Sequence, residues 1–201
     1  WRDVPGDVYW ARYNIATSGP GATNLLTGLW DAKVDRAPVL ALTGQVQTQV
    51  FGPGAFQDID LSSAFQAVTK FSQLVLPTSN HAELMSLACK TALVERDVAH
   101  LIFPDDVQTL PSAAPAGAAT GRLGGSVVGP AEADLAQAVA MINAAKRPMI
   151  VIGHGAVAAR EAVIELAERI GGSVVTTFKG KGLIAVSHRN AGGVLGRSGT
   201  P

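Results

Sequence analysis

Apolar residues along this chain fall into short continuous runs separated by longer stretches of helical spacing, and glycines punctuate the joins. Residues 13–17 have the length and apolar content of a strand. The turn Ser18-Gly19-Pro20-Gly21 then leads into a helix carrying Leu25, Leu26, Leu29 and Trp30. The run Ala37-Pro38-Val39-Leu40-Ala41-Leu42-Thr43, closed by Gly44, suits a parallel strand covered on both faces. A Gln- and Gly-rich stretch, 45–57, is too long for a tight connection, and loops of that length are commonly functional. A short helix is expected over 60–66 and a short strand at Leu74-Val75-Leu76. Asn80 is placed to cap a helix reaching Glu95, with Leu84, Leu87, Ala88 and Thr91 as its inner stripe. His100-Leu101-Ile102-Phe103 reads as a further buried strand ended by Pro104.

From Asp105 to Val128 the composition turns to Pro, Ala, Gly and Ser without apolar periodicity, as in an interdomain linker. The expected division is therefore a first domain over 1–110, a linker over 111–128 and a second domain over 129–201. The second domain opens with Gly129-Pro130, Pro in the first helical turn, and places Leu135, Ala138, Val139 and Ile142 on one helical face. A strand over 148–152, the turn Gly153-His154-Gly155, a helix with Val163, Leu166, Ala167 and Ile170 inward, the stop Gly171-Gly172 and a strand over 173–177 follow. Strand and helix alternate in both halves, so the predicted fold class is α/β. Two parallel-sheet domains are expected, with helices on both faces and right-handed crossovers, each incomplete.

Composition narrows the functional classes. Sixteen Lys plus Arg balance sixteen Asp plus Glu among 201 residues, which gives no general electrostatic reason to bind nucleic acid or an anionic membrane. Charged residues amount to 16%, below the roughly 25% of ordinary soluble domains, while 22 glycines exceed the usual share of about 7%. Surface hidden against another subunit or further chain is the expected reason. The lone cysteine, Cys89, excludes an intramolecular disulfide framework; it shares a stripe with Met85, Ala88 and Ala92 and reads as a small core residue. No apolar run approaches the ~18 residues of a membrane-spanning helix, and the first residues lack a signal peptide's regions, so a cytoplasmic protein is expected. Because the chain starts at Trp1 without Met and stops at Pro201 within a Gly-rich segment, it is expected to be a piece of a longer protein.

No His-Glu-x-x-His, Gly-x-Ser-x-Gly or P-loop pattern occurs, which removes zincins, serine hydrolases of that type and P-loop enzymes. Gly153-His154-Gly155-Ala156-Val157-Ala158 fits G-x-G-x-x-A, where bare backbone could meet a diphosphate. The acidic residue a simple NAD site needs about twenty positions on is absent from 173–179. These glycines alternatively form only a tight strand-to-helix turn. His81, His100 and His188 are too scattered for a metal site, Asp105 and Asp106 read as a solvated strand exit, and Asp58 and Asp60 carry no assigned chemistry.

A more specific pattern is Thr17-Ser18-Gly19-Pro20-Gly21-Ala22-Thr23-Asn24 followed by the strand ending at Gly44-Gln45, with Gly54-Ala55-Phe56-Gln57-Asp58 and Thr69-Lys70 beyond it. This passage resembles the pyrimidine-binding domain of thiamine diphosphate enzymes of the acetolactate synthase and pyruvate oxidase group. Lys146-Arg147-Pro148, Gly153-His154-Gly155, Thr176-Thr177, Gly180-Lys181-Gly182 and Leu195-Gly196-Arg197-Ser198-Gly199-Thr200-Pro201 continue the resemblance into that group's middle domain.

The resemblance implies thiamine diphosphate with Mg²⁺, a small 2-oxo acid such as pyruvate as substrate, and a homodimer or homotetramer. It implies Gly19, Gly21, Asn24 and Gln45 on the pyrimidine side of the cofactor, and Phe56 and Gln57 on a loop reaching the reacting centre. Asn24 could instead cap backbone, Phe56 anchor the loop in the core, and Gln57 be a solvated amide. In flavin-containing members FAD lies against segments that match Gly153, His154, Gly155, Thr176, Thr177, Gly196, Arg197, Ser198, Gly199 and Thr200. Other members keep the fold without flavin, and His154 and Arg197 would then be solvated.

Departures from the group matter too. Its activating glutamate precedes the glycine turn, whereas the first Glu here is Glu83, and the Gly-Asp-Gly with Asn-Asn that holds the metal and diphosphate is missing. Both must come from outside this chain, which alone is expected to be inactive. The opening residues 1–12 do not resemble the helix found there in the group. Asp105 stands where acetolactate synthases usually carry Lys, which leans toward the oxidase or dehydrogenase branch. Two alternatives of other classes stay open: a noncatalytic assembly module of the same fold, and a nucleotide-binding oxidoreductase using the Gly153 turn.

Overall fold

The computed structural model describes residues 12–111, 129–197 and 199–200. The chain divides into two compact units, Trp1–Gly125 and Ser126–Pro201. Residues 1–11, residues 112–128 of the expected linker, Ser198 and Pro201 lie outside the described residues.

In the first unit, β1 (Arg12–Ala16), β2 (Val39–Gln45), β3 (Phe71–Leu74) and β4 (Val98–Pro104) form a parallel sheet in the order β1-β2-β4-β3. Short α1 (Pro20–Thr23), α2 (Leu26–Val34) and α3 (Leu61–Phe65) supply one face, and α4 (His81–Glu95) and short α5 (Asp105–Gln108) the other. The sheet's two-residue period explains the partition. Val39, Ala41, Val98 and Ile102 pack with Leu29, Leu61 and Phe65, while Leu40, Ala99 and Leu101 pack with Ala88, Ala92 and Val107. The chain steps in one direction from β1 to β3 and back for β4. Right-handed crossovers therefore require the helices to change face at α4.

The Asn80 cap is in place, its side chain accepting from the Glu83 N–H at 3.1 Å. Several expectations shift. The third strand runs over Phe71–Leu74, ahead of Leu74-Val75-Leu76, because its position is set by pairing Phe71 with Ala99 and Leu74 with Ile102. Leu87 is exposed; Ala88, Ala92 and Leu93 form the buried side of α4, with Met85 and Cys89 partly buried beside it. Residues 105–108 are helical, with Val107 buried, where a linker composition was read.

The second unit contains α6 (Glu132–Ala144), β5 (Met149–Ile152), α7 (Arg160–Ile170), β6 (Ser173–Thr176) and β7 (Ala191–Val194), the strands parallel in the order β5-β6-β7. The core of Ile152, Ala167, Val174 and Ile184 lies between α7 and one sheet face. Gly171 ends α7 in the left-handed conformation at φ 63. Pro130 precedes the α6 N-cap, Ala131, instead of sitting in its first turn. No residue of α6 is buried, and Leu166 of α7 is exposed. β7 has no counterpart among the expected strands; a register shift opposite Val174 and Thr176 admits its Gly192-Gly193 pair, with Gly193 at φ 89.

Candidate functional site

In a parallel sheet with helices on both faces, ligands gather beyond the carboxyl ends of the strands. A cleft of about 700 Å³ lies there in the first unit. Its floor is made by the ends of β1, β2 and β4 through Ala16, Thr43, Gly44 and Phe103, its walls by the loop after β2 and by α5. Gly44 belongs there for steric reasons: a Cβ would stand 3.3 Å from the Ser18 nitrogen.

The loop is tied down residue by residue. At its base, Gln45 donates from Nε2 to the Ile59 carbonyl at 2.7 Å and accepts the Val46 N–H at 2.9 Å, so both ends of this buried amide are used. The Asp106 carboxylate accepts the Thr48 N–H at 2.9 Å and the Thr48 hydroxyl at 2.6 Å, and Gln47 donates to Asp105 at 3.2 Å. Those Thr48 bonds, hydroxyl first, hold the Asp106 pKa below the ordinary carboxylate value. Across the loop Gly52 N–H donates to Asp58 at 2.9 Å. Asp106 is thus bonded to the loop where a solvated strand exit was expected, while Asp105, in the cleft lining, is exposed as expected and makes one amide contact. Asp58 likewise braces the loop.

Gly19 and Gln57, distant in sequence, meet. Gly19 has φ +57, and a Cβ there would lie 2.8 Å from the Gln57 carbonyl oxygen. Gln57 itself has φ 66, and its Oε1 accepts the Ser18 hydroxyl at 3.0 Å. Its side chain is half-buried and bonded, so the solvated-amide alternative does not describe it; the cleft lining passes through its neighbours Ala55 and Phe56. Phe56 is 89% exposed at the cleft lip, which removes its alternative as a core anchor. Space beside Gly21 is taken by the Thr17 methyl. Asn24 is exposed at the end of α1, where its N–H donates to the Pro20 carbonyl at 3.1 Å, and it does not line the cleft.

Beneath the floor lies His100, which the sequence placed in a buried strand and set aside as a metal ligand without assigning it a partner. His100 is 0% exposed and stacks on Phe65 with ring centroids 4.0 Å apart. Its Nε2 is 2.8 Å from the Thr43 hydroxyl and its Nδ1 2.9 Å from the Ser72 hydroxyl. Burial pushes the imidazole down to about 4, so at neutral pH one ring nitrogen donates and the other accepts.

The second unit has a cleft of about 760 Å³ at the ends of β6 and β7, lined by Thr176, Lys181, Gly193, Gly199 and Thr200 among others. Thr200 closes back on β7, its hydroxyl accepting the Val194 N–H at 3.1 Å and its N–H donating to the Val194 carbonyl at 2.9 Å. Gly153 packs on Thr177, with 3.3 Å from a would-be Cβ to the Thr177 hydroxyl oxygen. Gly153, His154, Gly155, Thr177, Gly196 and Arg197 are outside this lining, and His154 and Arg197 are exposed. A 3-10 segment, His154–Ala159, separates the glycine turn from α7. A diphosphate at that turn would not face the start of a long helix, which weighs against the NAD reading together with the missing acidic residue.

Both units are α/β with parallel sheets, and each carries a cleft at the ends of its strands, where proteins of this class gather ligands. Residues 14–64 match the N-terminal TPP binding domain of thiamine pyrophosphate enzymes, and residues 135–201 match the central domain of the same enzymes. The chain belongs to the thiamine pyrophosphate enzyme family. It is 34% identical over 187 residues to a putative thiamine pyrophosphate-containing protein, YdaP, of Bacillus subtilis, covering 92% of this chain and 32% of that protein. It is 36% identical over 194 residues to a probable acetolactate synthase large subunit of Methanococcus aeolicus, with 92% and 32% covered. Against the acetolactate synthase isozyme 1 large subunit of Escherichia coli it is 33% identical over 195 residues, with 92% and 33% covered. The chain spans about a third of the length of these relatives.

Proposed function

We propose that this chain supplies the pyrimidine-binding domain (1–110), the linker (111–128) and the beginning of the middle domain (129–201) of a thiamine diphosphate-dependent enzyme acting on a 2-oxo acid such as pyruvate. The observation that carries this reading is the order of the two domain matches, one in each compact unit. Three acetolactate synthase-related or thiamine pyrophosphate-containing relatives aligned over most of the chain support it further.

The cleft of the first unit fits one end of the cofactor. Its walls combine apolar surface from Leu42, Val50 and Phe103 with the amides of Gln47 and Gln108, a set suited to a flat, nitrogen-bearing ring. It does not fit the diphosphate. Asp105 is the ionisable side chain in its lining, and no cluster of three metal-ligating side chains occurs among the described residues. The anionic end and Mg²⁺ therefore belong to another part of the protein or to a second subunit, as a homodimer or homotetramer would provide. Bound thiamine diphosphate supplies a carbanion for addition to the substrate carbonyl and an electron sink as CO₂ leaves. This chain's part is positioning. Gln45 fixes the base of the loop, Gly19 and Ser18 hold Gln57, and Phe56 stands at the cleft lip with its ring free to meet a bound substrate or cofactor. Gly21 and Asn24, which the cleft lining does not include, belong to the turn and short helix that carry Ser18 and Gly19 to its edge.

In the second unit the Thr176, Gly199 and Thr200 cleft, with bare backbone at Gly193 and a cation at Lys181, suits part of a flavin dinucleotide, with Gly153, His154, Gly155, Thr177, Gly196, Arg197 and Ser198 as further contacts. Asp105 in the first cleft favours an oxidase or dehydrogenase over a strict acetolactate synthase. A cytoplasmic location accords with the reading; among the described residues no helix is long and apolar enough to cross a membrane. The test is product analysis of the protein as the cell makes it, with pyruvate, thiamine diphosphate and Mg²⁺. Release of CO₂ with acetolactate, acetate or acetyl phosphate is expected, and no pyruvate consumption would refute the proposal. A preparation without flavin absorbance that takes up no FAD would refute the flavin assignment.

A further inference from the structure

We propose that Asp106 is a positioning residue, clasping the loop that walls the first cleft to α5 and thereby setting how tightly that cleft holds the ring of its cofactor. The inference rests on the function proposed above and concerns a residue not assigned to the cofactor or substrate there.

The geometry is specific. Strand β2 ends at Gln45 and the loop that follows returns to the sheet near Ile59. Ties reach the loop from outside at Gln45, Ser18, Asp105 and Asp106. Gln45 secures the two ends and Ser18 secures Gln57, which leaves the segment carrying Gln47 and Val50, the part that forms the cleft wall, to Asp105 and Asp106. The Asp105 tie is a single exposed amide contact at 3.2 Å. Asp106 uses both carboxylate oxygens on one residue, at 2.9 Å to the Thr48 N–H and 2.6 Å to its hydroxyl. Ionic acceptors make hydrogen bonds about twice as strong as neutral ones, and two bonds from one carboxylate fix orientation as well as distance.

Asp106 is also well placed to transmit that order. Its neighbours Asp105 and Gln108 line the opposite wall of the cleft, and Gln108 is itself held by donation to the Phe103 carbonyl at 2.8 Å. The clasp therefore fixes the spacing of the two walls. A loop freed from it must be ordered again when the ring binds, and affinity falls by that amount.

The test uses the protein as the cell makes it and the variants Asp106→Asn, Thr48→Val and Thr48→Ser. Affinity for thiamine diphosphate with Mg²⁺ is measured by calorimetry, and amide exchange is followed in residues 46–52 and in β2 and β4. Asp106→Asn and Thr48→Val should each weaken cofactor affinity about tenfold, and the double variant should lose little more, because both remove the same charge-assisted hydroxyl–carboxylate bond of the clasp. Exchange should rise in 46–52 and stay unchanged in β2 and β4, while Thr48→Ser, which keeps both bonds, restores wild-type affinity. Faster loop exchange with unaltered affinity would make the clasp merely structural and overturn the proposal, as would full additivity of the two losses. Wild-type protein that takes no thiamine diphosphate would overturn the functional reading first and this inference with it.

Discussion

At Gly19 the backbone stands at φ +57, and the Gln57 main chain occupies the place where a side chain would go. An L-residue there meets both a conformational penalty and a backbone neighbour that cannot rotate away. Gly21 differs: its φ is not in the left-handed region, and the group beside it is the end of the Thr17 side chain. Gly19→Ala should therefore cost about 2 kcal/mol or more, and Gly21→Ala clearly less, as read from urea unfolding curves. Equal losses at the two positions would mean that Gln57 does not fill the Gly19 site in solution. The family resemblance implied both glycines as cofactor neighbours; the sequence could not show that one of them is a socket for Gln57, since that contact joins residues 38 apart. For the same reason the Thr48–Asp106 clasp was not legible. An Asp pair after a strand has the same local signature whether it is solvated or bonded to a loop.

Among the elements, those governed by local chemistry were read well and those governed by distant partners were not. The α4 boundaries follow from the Asn80 cap and the left-handed Arg96 that ends the helix, and the β2 and β4 runs are apolar on both faces because both faces are covered. By contrast β3 begins where Lys70 N–H donates to the Val98 carbonyl at 2.8 Å, a choice made by β4. β7 hides in a Gly-rich stretch of weak strand propensity. His100 shows the same limit within a correctly read strand. It bridges Thr43 of β2 and Ser72 of β3, and its low pKa has a consequence for the whole sheet. The folded value near 4 lies below the unfolded value of 6.5, so between these the unfolded chain binds more protons. The stabilisation tied to neutral His100 is complete above about pH 6.5, declines as pH falls and is lost below about 4, on the order of 3 kcal/mol in all. Both hydroxyls can accept from an imidazolium, which moderates the loss. Unfolding free energies measured from pH 4 to 7 should fall toward acid with this slope, and His100→Gln should flatten it. An unchanged slope in that variant would place the titration elsewhere.

At the scale of the molecule, a charge content of 16% coexists with large apolar side chains on the surfaces of both units. In the first, β1 pairs on one side with β2, and Tyr13 and Ile15 are 73% and 72% exposed on it. In the second, α7 covers one sheet face while Met149 and Val151 stand exposed on the other, and α6 exposes Leu135 and Val139. An exposed apolar edge strand has unused N–H and C=O groups and invites pairing, the more so where few charges oppose it. Relatives about three times as long as this chain have further sequence that could meet such surfaces. The 201-residue chain purified by itself should accordingly associate as its concentration rises, seen as increasing sedimentation coefficient, and Ile15→Lys, which places a charge on the edge strand, should reduce that association without lowering the unfolding midpoint. A monodisperse monomer over the micromolar range would show that the apolar surface is tolerated and that the edge of β1 is not available for pairing.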